Sequence, residues 1–165
     1  MIKAIIFDLD GVLVDTKQIH FEALNESLKK YKFKQISFDD HIKIYDGLPT
    51  IEKLKILEKK KVLSKKYFKR INIYKQKVTT NILKKRIKKD KKIIKIMQNL
   101  HKKYKIAVAT NAVYSTLKIC LDKIGITKYI DYKLSNEDIN NPKPNPEIYL
   151  KIFIKFGIYP SEALI

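Results

Sequence analysis

The chain has 165 residues, 45% of them hydrophobic, which suffices for one domain with a real core or one domain with a modest insertion. A single cysteine, Cys120, excludes an internal disulfide, and no apolar run reaches the length of a membrane span. The formal net charge of +19 attracts anions, but the lysines are spread over nearly every segment beside many isoleucines and asparagines, as a coding bias toward A and T produces.

The first sixteen residues organise the rest. Ala4-Ile-Ile-Phe7 is a β-branched apolar run of the kind buried on both faces of a parallel sheet. It leads into Asp8 and Asp10, whose side chains share one face under a strand's period of two, and Gly11 lets the backbone turn away. Acids at the carboxyl end of a buried strand lie where open α/β sheets bind ligands.

Helical texture follows. His20, Leu24 and Leu28 mark one face of a helix over about Lys17–Lys30, and Ser37 with Asp40 reads as an N-cap. Asp46-Gly47-Leu48-Pro49-Thr50 is a turn before a helix carrying Leu54 and Leu57. Ser64 reads as the cap of another helix, with Phe68, Ile71, Lys75 and Thr79 along it. The lysine-rich block 84–92 reads as the solvated junction before the next helix, so no specific nucleic-acid partner is expected.

From there strands and helices alternate. An amphipathic helix spans Ile93 to Leu100, and Tyr104–Ala109 is a second buried strand closed by Thr110-Asn111. A helix over about Val113–Lys123 packs Leu117, Cys120 and Leu121 at helical spacing and stops at Gly125. Tyr129–Leu134 reads as a third strand and Asn141–Pro146 as a stiff loop holding Lys143. Asn145, Pro146 and Glu147 then open a helix that ends at Gly157. Ala163-Leu-Ile165 begins a fourth strand.

This order predicts a Rossmann-like parallel sheet with right-handed crossovers. It divides the chain into a discontinuous α/β core, residues 1–15 and 87–165, and an inserted all-helical cap, residues 16–86. Asp8/Asp10, Thr110/Asn111 and Lys143 all fall at strand ends or in the loops after them. An acid pair, a hydroxyl and amide before a helix, and a lysine suit phosphoryl transfer, with one carboxylate attacking phosphorus and the other moving protons. Lysine and backbone N–H groups neutralise the phosphoryl oxygens.

Phe7-Asp-Leu-Asp-Gly-Val-Leu-Val-Asp-Thr16, Ala109-Thr-Asn111 and Lys143-Pro-Asn-Pro-Glu-Ile-Tyr149 resemble the three successive motifs of the haloacid dehalogenase-like superfamily, in its phosphatase and β-phosphoglucomutase branch. The resemblance covers the whole chain. It implies Asp8 as nucleophile, Asp10 as acid/base, Thr110, Asn111 and Lys143 as phosphate-binding residues, and Mg²⁺ as cofactor held by Asp8 and Asp10. It also implies a mobile cap in which Thr16, His20, Gly47, Thr50 and Lys75 meet the substrate. A halide needs no proton, so Asp10 selects a phosphate ester. The phosphomutases carry an arginine where Thr50 stands, which favours a phosphatase acting on a small phosphorylated metabolite, such as a sugar phosphate, over a mutase.

The resemblance further implies two metal-binding acids after the fourth strand, which are absent before Ile165. The chain is therefore expected to be a truncated product with an incomplete Mg²⁺ site, and Ala4–Phe7 to be left with an open apolar edge. A non-catalytic phosphate-binding protein is the alternative of another class. A cytoplasmic monomer is expected.

Overall fold

Strands β1 (Ala4–Phe7), β2 (Lys105–Ala109), β3 (Tyr132–Leu134) and β4 (Ala163–Leu164) form one parallel sheet, in the order β3-β2-β1-β4, in the computed structural model, which describes residues 1–165. Between them the helices are α1 (Lys17–Lys30), α2 (Phe38–Asp40), α3 (Thr50–Lys59), α4 (Phe68–Arg86), α5 (Lys91–Leu100), α6 (Tyr114–Ile124) and α7 (Glu147–Phe156). The protein has a parallel-sheet α/β fold. It divides into two compact units, residues 1–15 with 86–165 and residues 16–85.

In the α/β unit, β1 and β2 pair from Ala4 with Lys105 through Phe7 with Val108. Their successors, Asp8 and Ala109, therefore arrive side by side at the carboxyl end of the sheet. The near-continuous apolar character of both strands follows from burial on both faces. One face packs Ile6, Ala107, Ala109 and Leu134 against Ile148, Ile152 and Phe153 of α7. Asp90 caps α5 by accepting the N–H groups of Lys92 and Ile93 at 2.8 and 3.0 Å. The Asp90 N–H in turn donates to the carbonyl of Ile124 at 3.2 Å, where Gly125 ends α6 with a φ of +86°.

Three expectations need correction. Ala4–Phe7 does not have a wholly open edge, because β4 pairs in parallel with Ala4 and Ile5. The third strand is shorter than its apolar run. Thr127–Tyr129 forms a 3₁₀ turn, and pairing begins only after Asp131, whose carboxylate accepts the Ile106 N–H at 2.7 Å. Ser64 makes no side-chain cap; the Lys65 N–H goes instead to the carboxylate of Glu58.

In the helical unit, Leu24 and Leu28 of α1, Leu54 and Leu57 of α3, Leu63 of the connection after it and Ile71 of α4 bury themselves around Tyr45. Ser37 caps α2 by accepting the Asp40 N–H at 3.0 Å, and the chain continues through a π-helical turn, His41–Tyr45. The lysines of the 84–92 block, except the residues that start α5, end α4 or lie in the junction after it, and all are exposed. No helix is long and apolar enough to cross a membrane.

Candidate active site

The site is assembled where β1 and β2 end. Beyond Phe7 the chain folds into a tight turn: Leu9 is fully buried, its carbonyl accepts the N–H groups of Leu13 and Val14, and the Gly11 N–H returns to Val14 at 2.9 Å. Gly11 adopts a φ of +80°, which a side chain would oppose. Leu9 faces the interior while Asp8 and Asp10 are only half-buried on either side of it, so the alternation read from the sequence persists past the strand.

Asp8 is held through one oxygen. Its Oδ1 accepts the Leu9 N–H at 2.7 Å and lies 2.9 Å from the Lys143 ammonium. Its side chain is 41% exposed against 15% for Lys143, so the carboxylate opens to solvent while the cation is sheltered behind it. The same ammonium donates to the Ala109 carbonyl at 3.0 Å and thereby bridges the ends of β1 and β2.

Thr110 is fully buried. Its hydroxyl donates to Asp10 Oδ2 at 3.3 Å and accepts the Ala112 N–H at 3.0 Å. In this arrangement its single proton serves Asp10. Asn111 spends its amide on Lys143: Nδ2 donates to the Lys143 carbonyl at 3.1 Å, and Oδ1 accepts the Lys143 N–H at 2.9 Å. The peptide bond from Lys143 to Pro144 is cis.

The structure thus links Asp8 with Lys143 and Asn111, and Asp10 with Thr110, all within one unit. Sequence reasoning missed the anchor of the Lys143 loop, Glu147. Its carboxylate accepts the N–H groups of Asn140 and Asn141, each at 2.9 Å, and these bonds hold its pKa down at about 2. The sequence signal was its place in the first turn of α7. Cys120, buried and with its pKa pushed up to about 12 by burial, stays a thiol and packs.

The other residues singled out from the sequence lie in the helical unit. Thr16 is buried immediately before α1, Gly47 turns with a φ of +72°, and Thr50 is the first residue of α3. His20 Nδ1 and Lys75 Nζ are 3.3 Å apart.

Asp8 offers a carboxylate oxygen and Asp10 a main-chain carbonyl, hard oxygen donors of the kind that Mg²⁺ takes. No group of three or more Asp, Glu, His or Cys side chains converges to hold a metal. The donor set is right in kind and short in number: Mg²⁺ held through one or two carboxylates draws its remaining ligands from water and substrate phosphate.

A family model described as haloacid dehalogenase-like hydrolase matches residues 5–165. A phosphorylated carbohydrates phosphatase of Thermotoga maritima is 29% identical over 170 residues, spanning 99% of this chain and 74% of that protein. The pyrophosphatase PpaX of Bacillus cereus is 24% identical over 164 residues, spanning 99% of this chain and 73% of its own length. Among solved structures, the β-phosphoglucomutase of Clostridium difficile superposes with a TM-score of 0.80 at 24% identity. That alignment covers 99% of this chain and 74% of the other.

Proposed function

The chain belongs to the haloacid dehalogenase-like hydrolases, and on that premise we propose that it is a phosphatase that hydrolyses a small phosphorylated metabolite, such as a sugar phosphate, through an aspartyl-phosphate on Asp8. The observation that carries this reading is the fixed pairing of Asp8 with Lys143 at 2.9 Å beside a second acid, Asp10, held by Thr110.

Asp8 Oδ1 is engaged by Leu9 and Lys143, which leaves Oδ2 as the attacking oxygen. It forms a bond to phosphorus as the bond to the ester oxygen breaks, and the departing alkoxide takes the proton of Asp10. Asp10, now a carboxylate, removes a proton from water, and that water attacks phosphorus. The bond from phosphorus to Asp8 breaks, releasing inorganic phosphate and restoring both acids. Lys143 offsets the negative charge that collects between Asp8 and the phosphoryl group. Asp8 through a side-chain oxygen and Asp10 through its main-chain carbonyl would hold Mg²⁺, which when bound neutralises phosphoryl oxygens.

Thr50, at the start of α3 where the phosphomutases carry arginine, supports hydrolysis over transfer between two positions of a sugar. Thr16, His20, Gly47, Thr50 and Lys75 are proposed to choose the substrate from the helical unit.

Phosphate release from p-nitrophenyl phosphate and a panel of sugar phosphates, with Mg²⁺ present, tests the reading on the full chain. Turnover that disappears in Asp8→Asn is the expected result, and turnover that survives the substitution overturns the covalent step. β-Glucose 1-phosphate converted to its isomer with no phosphate released would make the protein a mutase. Binding of tungstate without any turnover would make it a phosphate-binding protein.

A further inference from the structure

The segment that carries Lys143 is fixed from two sides before its ammonium is placed. On one side Glu147 takes the main-chain N–H groups of Asn140 and Asn141. On the other, Asn111, two residues beyond the end of β2, pairs with both the N–H and the carbonyl of Lys143. This is the double exchange that neighbouring strands make through their backbones, supplied here by one side-chain amide. Pro142 and Pro144 flank Lys143 and have no N–H, so Lys143 is the only one of the three that can donate a main-chain hydrogen bond. Asn111 accepts it.

An ammonium on a four-carbon stem is placed only as well as its own Cα. From the position that Asn111 fixes, Lys143 Nζ reaches the Ala109 carbonyl at 3.0 Å and Asp8 Oδ1 at 2.9 Å. With both ends of its amide spent on this pair, Asn111 has its strongest geometry directed at Lys143 and not at a ligand.

We propose that Asn111 is a positioning residue, which acts by locking the Lys143 main chain so that the ammonium stays between Asp8 and Ala109. The inference rests on the part given to Lys143 in the proposed function, and its test separates the two.

Lysine acylation by acetic anhydride, read residue by residue by mass spectrometry on the full chain, reports the placement directly. Lys143 is sheltered and should react slowly, and Asn111→Ala should raise its rate about fivefold or more while the exposed Lys118 and Lys123 of α6 hold theirs. An unchanged Lys143 rate overturns the proposal. So does a rise shared by all three lysines, which would make Asn111 a general structural residue.

A kinetic cycle then tests the coupling. Asn111→Ala should lower kcat about tenfold when Lys143 is present and by less than about twofold in the Lys143→Ala background. Equal losses in both backgrounds mean that Asn111 acts on its own, and the proposal falls. If Lys143→Ala leaves hydrolysis intact, the proposed function falls and takes the positioning role with it, whereas the acylation rates still decide the geometry.

Discussion

The hydroxyl of Thr110 faces Asp10 and not open solvent: it donates to Asp10 Oδ2 at 3.3 Å while the Ala112 N–H donates to it at 3.0 Å. A fully buried hydroxyl with both roles filled holds the proposed acid/base in one orientation. Thr110→Val preserves shape and removes both bonds. It is expected to lower kcat/KM for phosphate esters by about 10²-fold and to cost about 1–2 kcal/mol of stability, because the Ala112 N–H loses its acceptor. Thr110→Ser should keep most of both. Steady-state kinetics beside urea unfolding checks this, and full activity in the valine variant would remove Thr110 from the site.

His41 sets a pH limit on the helical unit. It is 0% exposed, neither ring nitrogen has a hydrogen-bond partner, and Phe21 and Phe38 pack against the ring. Burial first, then the charge of Lys53, lowers its pKa from 6.5 to about 4, with His20 adding to the fall. Asp46, 4.0 Å from Nε2, and a main-chain contact with Lys17 oppose it. The folded pKa lies below the unfolded one, so the unfolded chain binds the proton more readily. Stability is whole above about pH 6.5 and drains away as pH falls toward 4. This group alone should remove about 2 kcal/mol between pH 7 and pH 5. In His41→Phe the difference in urea midpoint between those two pH values should shrink accordingly.

Asp90 carries the start of α5 on one carboxylate oxygen, which receives two N–H groups. Asp90→Ala is expected to cost about 1 kcal/mol. Asp90→Ser, which keeps an acceptor, should recover most of it in the same denaturant titration.

Gly125 answers Asp90 across the same corner. Its φ is +86°, and a Cβ built there would lie 3.0 Å from Ile94 Cδ1. Gly125→Ala therefore combines left-handed strain with a crowded side chain and should cost about 1–2 kcal/mol. With Asp90→Ala the losses should not add, because both changes loosen one joint. Strictly additive losses would mean that the two residues act independently.

Much of this molecule is legible in its sequence because the signals are local. Ala4–Phe7 and the run into Ala109 are continuous apolar strands. The start of α7 falls one residue later than its Asn-Pro-Glu run suggests: Pro146 takes the N-cap position, and Asn145 before it still accepts the Glu147 N–H through Oδ1 at 3.0 Å. The features that escaped reading depend on partners distant in sequence. Tyr129 and Ile130 have strand chemistry, but pairing with β2 starts later, where Asp131 meets Ile106. The amide of Asn111 reads as a ligand to phosphate until a main chain more than thirty residues on is seen to occupy it. His41 follows Asp39 and Asp40, two acids that give no hint of its complete burial.

The parallel register of Ala4–Phe7 with Lys105–Val108 also has a kinetic meaning. These two strands cannot meet until the chain has closed a loop that contains every residue of the helical unit. Loop closure grows costlier with length, and contacts distant in sequence slow folding, whereas each helix of the intervening unit closes on its own neighbours. The helical unit can shorten the loop by folding first, so a substitution such as Leu54→Ala, buried in its core, would reach beyond that unit and delay the sheet. The pairing of β1 with β2 is then the contact expected to limit how fast the native state forms.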